Sequence, residues 1–415
     1  MADVAMEMAR RGYPVRVYTS ASGYEDPAIQ YPLIEMIRGV EVRRFQWASF
    51  GKKSILTRVL GTATFMVQAL FAGLFTRDVG GIFFSTSPPL VGVMASIVGY
   101  IRGVPIAYWA MDLNPDQLIA LGKLRPTDLS ARLLEAVNRH ILRRSALIVA
   151  LDRFMAERLD RRDPALRLRD KMLIMPPWPH EQHILAPSAL GESGDENPFR
   201  IRHGLVGKFV VMYSGNHSPS NPLKTLLGAA VRFKDDPDVR FLFVGGGSGK
   251  KEVDAVISSQ GLSNVMSLPY QPLAELRHSL SAADVHVVSL GQEMVGIIHP
   301  CKAYGAMAAG RPLLYFGPRP SHIADILDTH PIGRCVAHGD VEAAASAIDE
   351  LRRLGPDARA DMGRKAQVVL RETLSQEMLC SRFCDRLELA IYRKSPLVGT
   401  EVPQPGAGSQ VTQIA

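Results

Sequence analysis

Between two apolar runs, Val285–Leu290 and Pro312–Phe316, the chain carries Gly291, Gly296, His299, Pro300 and Lys302 in close succession. Pro300 suits the first position of a helix, where a missing N–H costs nothing, and Gly310 suits the stop. The spacing predicts strand, loop, a helix over Cys301–Ala309, and strand again. A helix opening at the carboxyl end of a strand presents unpaired amides and a positive dipole end, a setting for anions. Lys302 in the first turn opposes that dipole, a conflict that a nearby anion would relieve. A solvated surface lysine is the plain alternative for Lys302, and a structural role the plain alternative for His299.

A second strand, loop and helix unit begins with the valine-rich run Lys208–Tyr213 and passes through Ser214-Gly215-Asn216-His217 to a helix expected over Leu223–Phe233. Gly215 lets a phosphate approach the backbone. His217 and Lys224 can serve such a ligand only if the loop folds to bring them in. In the first half, an apolar strand from Val104 runs into Asp112, placing a carboxylate at a strand tip that faces an interdomain cleft. There it can anchor or deprotonate an acceptor hydroxyl, although the following Asn114-Pro115 also permits a helix cap or Asx-turn. The glycines of Gly245–Lys250 do not make a Walker loop, because Val244 occupies the first glycine position and Lys251 the Ser/Thr position.

Residues Tyr304-Gly305-Ala306-Met307-Ala308-Ala309-Gly310-Arg311-Pro312 resemble the E-x-M-A-x-G-x-P signature of family 4 glycosyltransferases. The resemblance extends over most of residues 1–393 and is nearest the branch that builds bacterial surface polysaccharides of the colanic acid type. It implies an α/β GT-B fold of two facing Rossmann-like domains. The implied donor substrate is a nucleotide diphosphate sugar, with no cofactor and no metal. The segment around Asp112 resembles the family's acceptor-side D-L-x-P-D loop, and the turn Pro269–Pro272 resembles the one that cradles the nucleotide base, where Tyr270 can stack or serve the core. Two family glutamates that bind the donor ribose and sugar are replaced by Gly305 and Ile297. The arginine and lysine that neutralise the diphosphate are replaced by Asn216 and Asn221. The donor set implied for this chain is therefore Gly215, Asn216, His217, Lys224, Tyr270, the amides of Gly296, Ile297 and Ile298, His299 and Lys302.

A chain of 415 residues, 47% hydrophobic and 21% charged, suits two globular domains better than one core. The expected division is an acceptor-side domain over 1–185, a Pro/Ser/Gly-rich linker over 186–199, a nucleotide-sugar domain over 200–372, a helix over 373–394 and a disordered tail over 395–415. In the family the first helix follows a strand and a glycine-rich loop. Here A-R-R-G-Y-P-V-R-V-Y, residues 9–18, resembles the end of that helix and the second strand. The chain is thus expected to begin inside the Rossmann unit, as a truncated gene model or internal start would leave it, with two apolar strand edges exposed.

Four cysteines in this length make no disulfide framework, and a reducing cytoplasm fits. Residues 1–190 hold 24 Lys and Arg against 17 Asp and Glu, so the whole net charge of +7 belongs to the first half. An anionic lipid surface is the partner this implies. Nucleic acid is disfavoured, because the basic stretch lacks interleaved aromatics. The uncharged run Val59–Thr76, preceded by Lys52, Lys53 and Arg58, reads as a helix packed on the sheet, with a face dipping into lipid or a full span as alternatives. Three functions follow. The first is a glycosyltransferase of hexosyltransferase type with a variant donor site, peripheral to the inner face of the plasma membrane, acting on a lipid-linked or polysaccharide acceptor. The others are a degenerate GT-B binding protein and a nucleotide-sugar epimerase, the last disfavoured for want of paired carboxylates.

Overall fold

The computed structural model describes residues 1–23, 29–47, 55–179, 196–392 and 410–414. The chain forms two compact units. The first comprises Met1–Ile119, Leu124–Pro176 and Glu377–Ala415, the second Ala120–Lys123 and Pro177–Gln376. Each is built on one sheet covered by helices.

The first unit's strands are β1 (Val15–Ser20), β2 (Ile34–Ile37), β3 (Val40–Phe45), β4 (Val79–Ser85), β5 (Ile106–Ala110), β6 (Ser145–Ala150), β7 (Met172–Ile174) and, from the end of the chain, the strand Gln410–Ile414. All pairs are parallel except β2 with β3. Strands buried on both faces must be apolar throughout, and Ile82, Phe83 and Phe84 of β4 are each at most 2% exposed. On one face the Ile55–Phe75 helix packs through Phe65 and Ala69, and its Gly73 lies so near Val98 of the Val91–Arg102 helix that a Cβ there would come within 3.0 Å. That contact assigns the uncharged run to the sheet. Among the described residues no helix is long and apolar enough to cross a membrane, so the full-span alternative falls. Lys52 and Lys53 lie outside the described residues. On the other face the Ala2–Arg10 helix meets the Gln376–Tyr392 helix, where Phe383 packs on Phe83 and Trp109, and Arg11 joins Glu7, Asp385 and Glu388.

The second unit's strands are β8 (Phe209–Ser214), β9 (Val239–Val244), β10 (Val265–Leu268), β11 (Val285–Ser289), β12 (Leu313–Phe316) and β13 (Gly333–Val336), all parallel in the order β10-β9-β8-β11-β12-β13. This order reverses direction between β8 and β11. Open α/β sheets bind ligands at the carboxyl ends of the strands flanking such a switch point.

The tail departs from expectation. Residues 393–409 are outside the described residues, but Gln410–Ile414, which completes the numbering as β14, pairs with β1 on one side and β4 on the other. The disordered-tail reading is corrected for those five residues. Two neighbouring strands with unpaired amides and carbonyls offer a strand-shaped slot, and Gln410-Val-Thr-Gln-Ile414 has the β-branched residues to take it. The expected pair of exposed edges is thereby closed. Val411→Pro should lower the melting temperature by roughly 2–10 °C, since ladder groups left unpaired cost about 1–3 kcal/mol. An unchanged calorimetric melt would show that β14 does not hold β1 and β4 together.

Candidate functional site

In the second unit the loops after β8 and β11, on either side of the switch point, are stitched together. The Gly291 amide donates to the Ser220 carbonyl at 2.9 Å, and the Ser289 hydroxyl donates to the Pro222 carbonyl at 2.6 Å. Lys302 extends from the second loop to the first. Its Nζ donates to the Tyr213 hydroxyl at 2.8 Å and to the Asn216 carbonyl at 3.3 Å, and sits 4.9 Å from the centre of the Tyr213 ring. The Tyr213 hydroxyl in turn donates to the Asn216 carbonyl at 2.7 Å. Gly215, at φ 138°, is needed here: a Cβ would fall 2.3 Å from the Lys302 Cε. Burial pushes the Lys302 ammonium from its usual 10.5 down to about 8. No carboxylate among the described residues pairs with it, so a partly desolvated cation stands at the switch point with only neutral oxygens for company.

The other predicted donor residues divide sharply. Asn216 is exposed on the loop beside Lys302. His217 is fully buried, its ring edge-on to Tyr213, and neither ring nitrogen reaches a hydrogen-bond partner. Burial first, then the Lys250 charge, hold that ring below its ordinary pKa. It supports the loop from beneath. Lys224 is exposed and faces Glu252 at 3.7 Å, so it does not join Lys302. Tyr270 is exposed with its ring over the turn after β9, where a Cβ on Gly246 would come within 3.0 Å.

The expected helix N-terminus is corrected. The helix runs over Lys302–Ala308, only seven residues, and Pro300 precedes it as part of a turn. The Ile297 and Ile298 amides both donate to the Met294 carbonyl, at 3.0 and 3.3 Å, and those two side chains are buried. A tight turn has therefore used the amides that were expected to face an anion. Gly296, at φ 69°, shapes that turn. His299 is held too: its Nε2 shares a hydrogen bond with the Tyr304 hydroxyl at 2.5 Å, and that hydroxyl meets His322 Nε2 at 2.9 Å. A hydroxyl has one proton, so one imidazole accepts and the other donates. The His299–Tyr304–His322 chain locks the loop that carries Lys302.

Tyr213, Tyr304 and His322 were not singled out from the sequence. A tyrosine as the next-to-last residue of a valine-rich strand is a usable signal for Tyr213, because its polar tip needs a partner at the strand end. Nothing local marks His322, which sits just past the Ser321 cap of its helix.

In the first unit, Asp112 follows β5 by two residues, at the carboxyl end of the strand. Its side chain is exposed, and partial desolvation by its surroundings raises its pKa above the usual 3.8. Among the described residues its carboxylate makes no hydrogen bond or ion pair, and the following helix, Asp116–Ala120, is engaged instead through Asp116 with Arg158 and Arg162.

Residues 195–369 match the family model of glycosyl transferases group 1. Over that stretch the second unit is similar to the group 1 glycosyltransferases. A curated relative, "Probable glycosyltransferase WbjE" of Pseudomonas aeruginosa, is 25% identical over 349 residues, 83% of each chain. Among solved structures, the sucrose-phosphate synthase of Thermosynechococcus elongatus superposes with a TM-score of 0.71 at 16% identity, covering 94% of this chain and 92% of that one. HepE of Anabaena, solved in complex with UDP-glucose, gives a TM-score of 0.64 at 16% identity over 93% of this chain and 94% of its own. The fold is GT-B, as the signature at Tyr304–Pro312 implies.

Proposed function

We propose that this glycosyltransferase moves a hexose from a nucleotide diphosphate sugar to a lipid-linked or polysaccharide acceptor of the cell surface, working on the cytoplasmic face of an anionic membrane. The observation that carries the donor part is Lys302, a half-buried ammonium at the switch point with no carboxylate partner. A diphosphate leaving group gains negative charge as the glycosidic bond breaks, and a preorganised cation stabilises that charge most where water is scarce. In this reading Lys302 replaces the charges that Asn216 and Asn221 lack, which makes the donor site a variant of the family's. Gly215 admits the phosphates to the backbone, Tyr270 offers a platform for the base, and the amides of Asn216 and Gly296 complete the cradle. Asp112 takes or orients the acceptor hydroxyl proton. No cofactor enters. The partners are the donor, the glycan or lipid-linked acceptor and the membrane surface.

Titration calorimetry with UDP and GDP tests the reading. One of them should bind, and the affinity should hold steady between pH 7 and about pH 8. Above that, the free enzyme's Lys302 loses its proton, so binding must weaken by up to about tenfold per pH unit. The diphosphate groups of UDP and GDP are already fully ionised there and the bases still hold their protons just above pH 8, so the onset of the trend belongs to the protein. If neither nucleotide binds, the transferase reading of this site fails and a degenerate GT-B binding protein takes its place.

A further inference from the structure

The first unit carries a second concavity that the transfer reaction does not use. A groove of about 590 Å³ lies beside the last turn of the Ile55–Phe75 helix, against β1 and the β2–β3 hairpin. Four arginines line it, Arg16, Arg43, Arg44 and Arg77, together with apolar side chains that include Ile34, Phe45 and Phe75. Two carboxylates offset part of the charge: Glu41 pairs with Arg16 and Arg43, both at 2.6 Å, and Glu35 pairs with Arg44 at 2.8 Å. Arg77 is exposed and makes no ion pair among the described residues. It lies two residues before the start of β4, whereas Asp112 lies two residues after the end of β5, so the two mark opposite edges of a parallel sheet. Asp112 is not among the residues that line the groove.

The surface that continues from the groove is apolar. Along the Ile55–Phe75 helix, Leu60, Val67, Phe71 and Phe75 follow one another by seven, four and four residues and so share one face, opposite the buried Phe65 and Ala69. Phe71 is 56% and Phe75 76% exposed, and their rings stack at 6.3 Å. Ile34 and Met36 of β2 are each 64% exposed. A helix that buries one apolar face and shows another to solvent calls for a second apolar medium.

We infer that this groove is a lipid-headgroup site, in which the four arginines take the phosphate of one anionic membrane lipid while Phe71, Phe75 and Ile34 enter the acyl boundary beside it. The inference deepens the membrane-surface part of the proposed function. Its warrant is charge complementarity: guanidinium forks match phosphate oxygens, and an apolar stripe adjoining them matches the hydrocarbon attached to a lipid phosphate but not a free one. Arg77 supplies an uncommitted fork, whereas Arg16 and Arg43 share Glu41, and Arg44 is held by Glu35 and by the Pro32 carbonyl at 2.7 Å.

Vesicle flotation tests it with the full-length protein. The wild type should float with phosphatidylcholine vesicles containing phosphatidylglycerol and not with phosphatidylcholine alone. Arg77→Ala and Arg44→Ala should each weaken binding about fivefold, corresponding to about 1 kcal/mol per arginine near an anionic surface. Phe75→Ser should weaken it as well, while Arg161→Ala, on an exposed arginine outside the groove, should not. Calorimetric melts of each variant confirm the fold. Flotation of the Arg77 and Arg44 variants equal to wild type, or an equal loss in Arg161→Ala, overturns the groove while leaving membrane binding in place. No flotation of the wild type removes both, and the nucleotide titration is unaffected either way. Full displacement from vesicles by sn-glycerol 3-phosphate would identify a soluble phosphate as the occupant, and a dimer that Phe71→Ser dissolves would identify a second copy; each overturns the inference.

Discussion

Lys302→Ala is expected to weaken binding of the preferred nucleoside diphosphate by about ten- to a hundredfold, since a charged hydrogen bond to phosphate contributes roughly 1.5–3 kcal/mol. Turnover should fall further, by about 10²–10³, because the lysine's largest contribution comes when the leaving group is most negative. Lys302→Arg separates charge from fit: it restores binding at high pH, where the lysine is neutral, yet need not restore turnover. Stability should move the other way. A lysine whose folded pKa is lowered from 10.5 to about 8 is held charged at a cost below pH 8, and that cost is relieved as pH rises towards 10.5. Lys302→Met should therefore melt higher than wild type at pH 7, with the gap closing above pH 10. The Tyr213 hydroxyl keeps its bond to the Asn216 carbonyl when the lysine is gone, so the loop retains its shape. An alanine variant that binds nucleotide as well as wild type would leave the fold assignment intact and remove Lys302 from the site.

The alternation of strand and helix was legible because parallel strands buried on both faces must be apolar, and their punctuation by glycine and proline is strong. Lys208–Tyr213 became β8 and Val285–Leu290 became β11 with boundary shifts of a residue or so at each end. The β2–β3 hairpin escaped notice because its strands alternate with charged residues, Glu35, Glu41, Arg43 and Arg44, and read as polar loop. β14 escaped because its conformation is set by the slot that receives it, which local sequence does not record. At the candidate site, the sequence pointed to Lys302 for a partly mistaken reason. The dipole argument required a helix beginning at Pro300, and the chain instead spends that stretch in tight turns whose carbonyls consume the Ile297 and Ile298 amides. What isolates Lys302 as a cation is its contact with Tyr213, 89 residues away in sequence, and such pairings belong to topology.

Asp112→Asn should reduce turnover by about 10²–10⁴, the range for removing a general base, with nucleotide affinity unchanged. The measurement is release of UDP or GDP from nucleotide sugars with cell-envelope lipid as acceptor, alongside calorimetry of the same variant. The amide keeps the size and polarity of the side chain but cannot take a proton. The pH profile gives the sharper reading. Partial desolvation raises the Asp112 pKa above 3.8, so the wild-type rate should fall on the acid side through a pKa displaced upward from the ordinary aspartate value, and the asparagine variant should lack that limb. The sign for stability follows from the same shift. A carboxylate whose folded pKa is raised is charged at a cost above that pKa, relieved as pH falls through it, but Asp112 is exposed and solvent screens the effect, so Asp112→Asn should melt close to wild type at every pH. A variant that turns over normally would reduce Asp112 to an exposed turn residue. One that loses turnover and also nucleotide affinity would show that the substitution disturbs the fold, and the melt would report it.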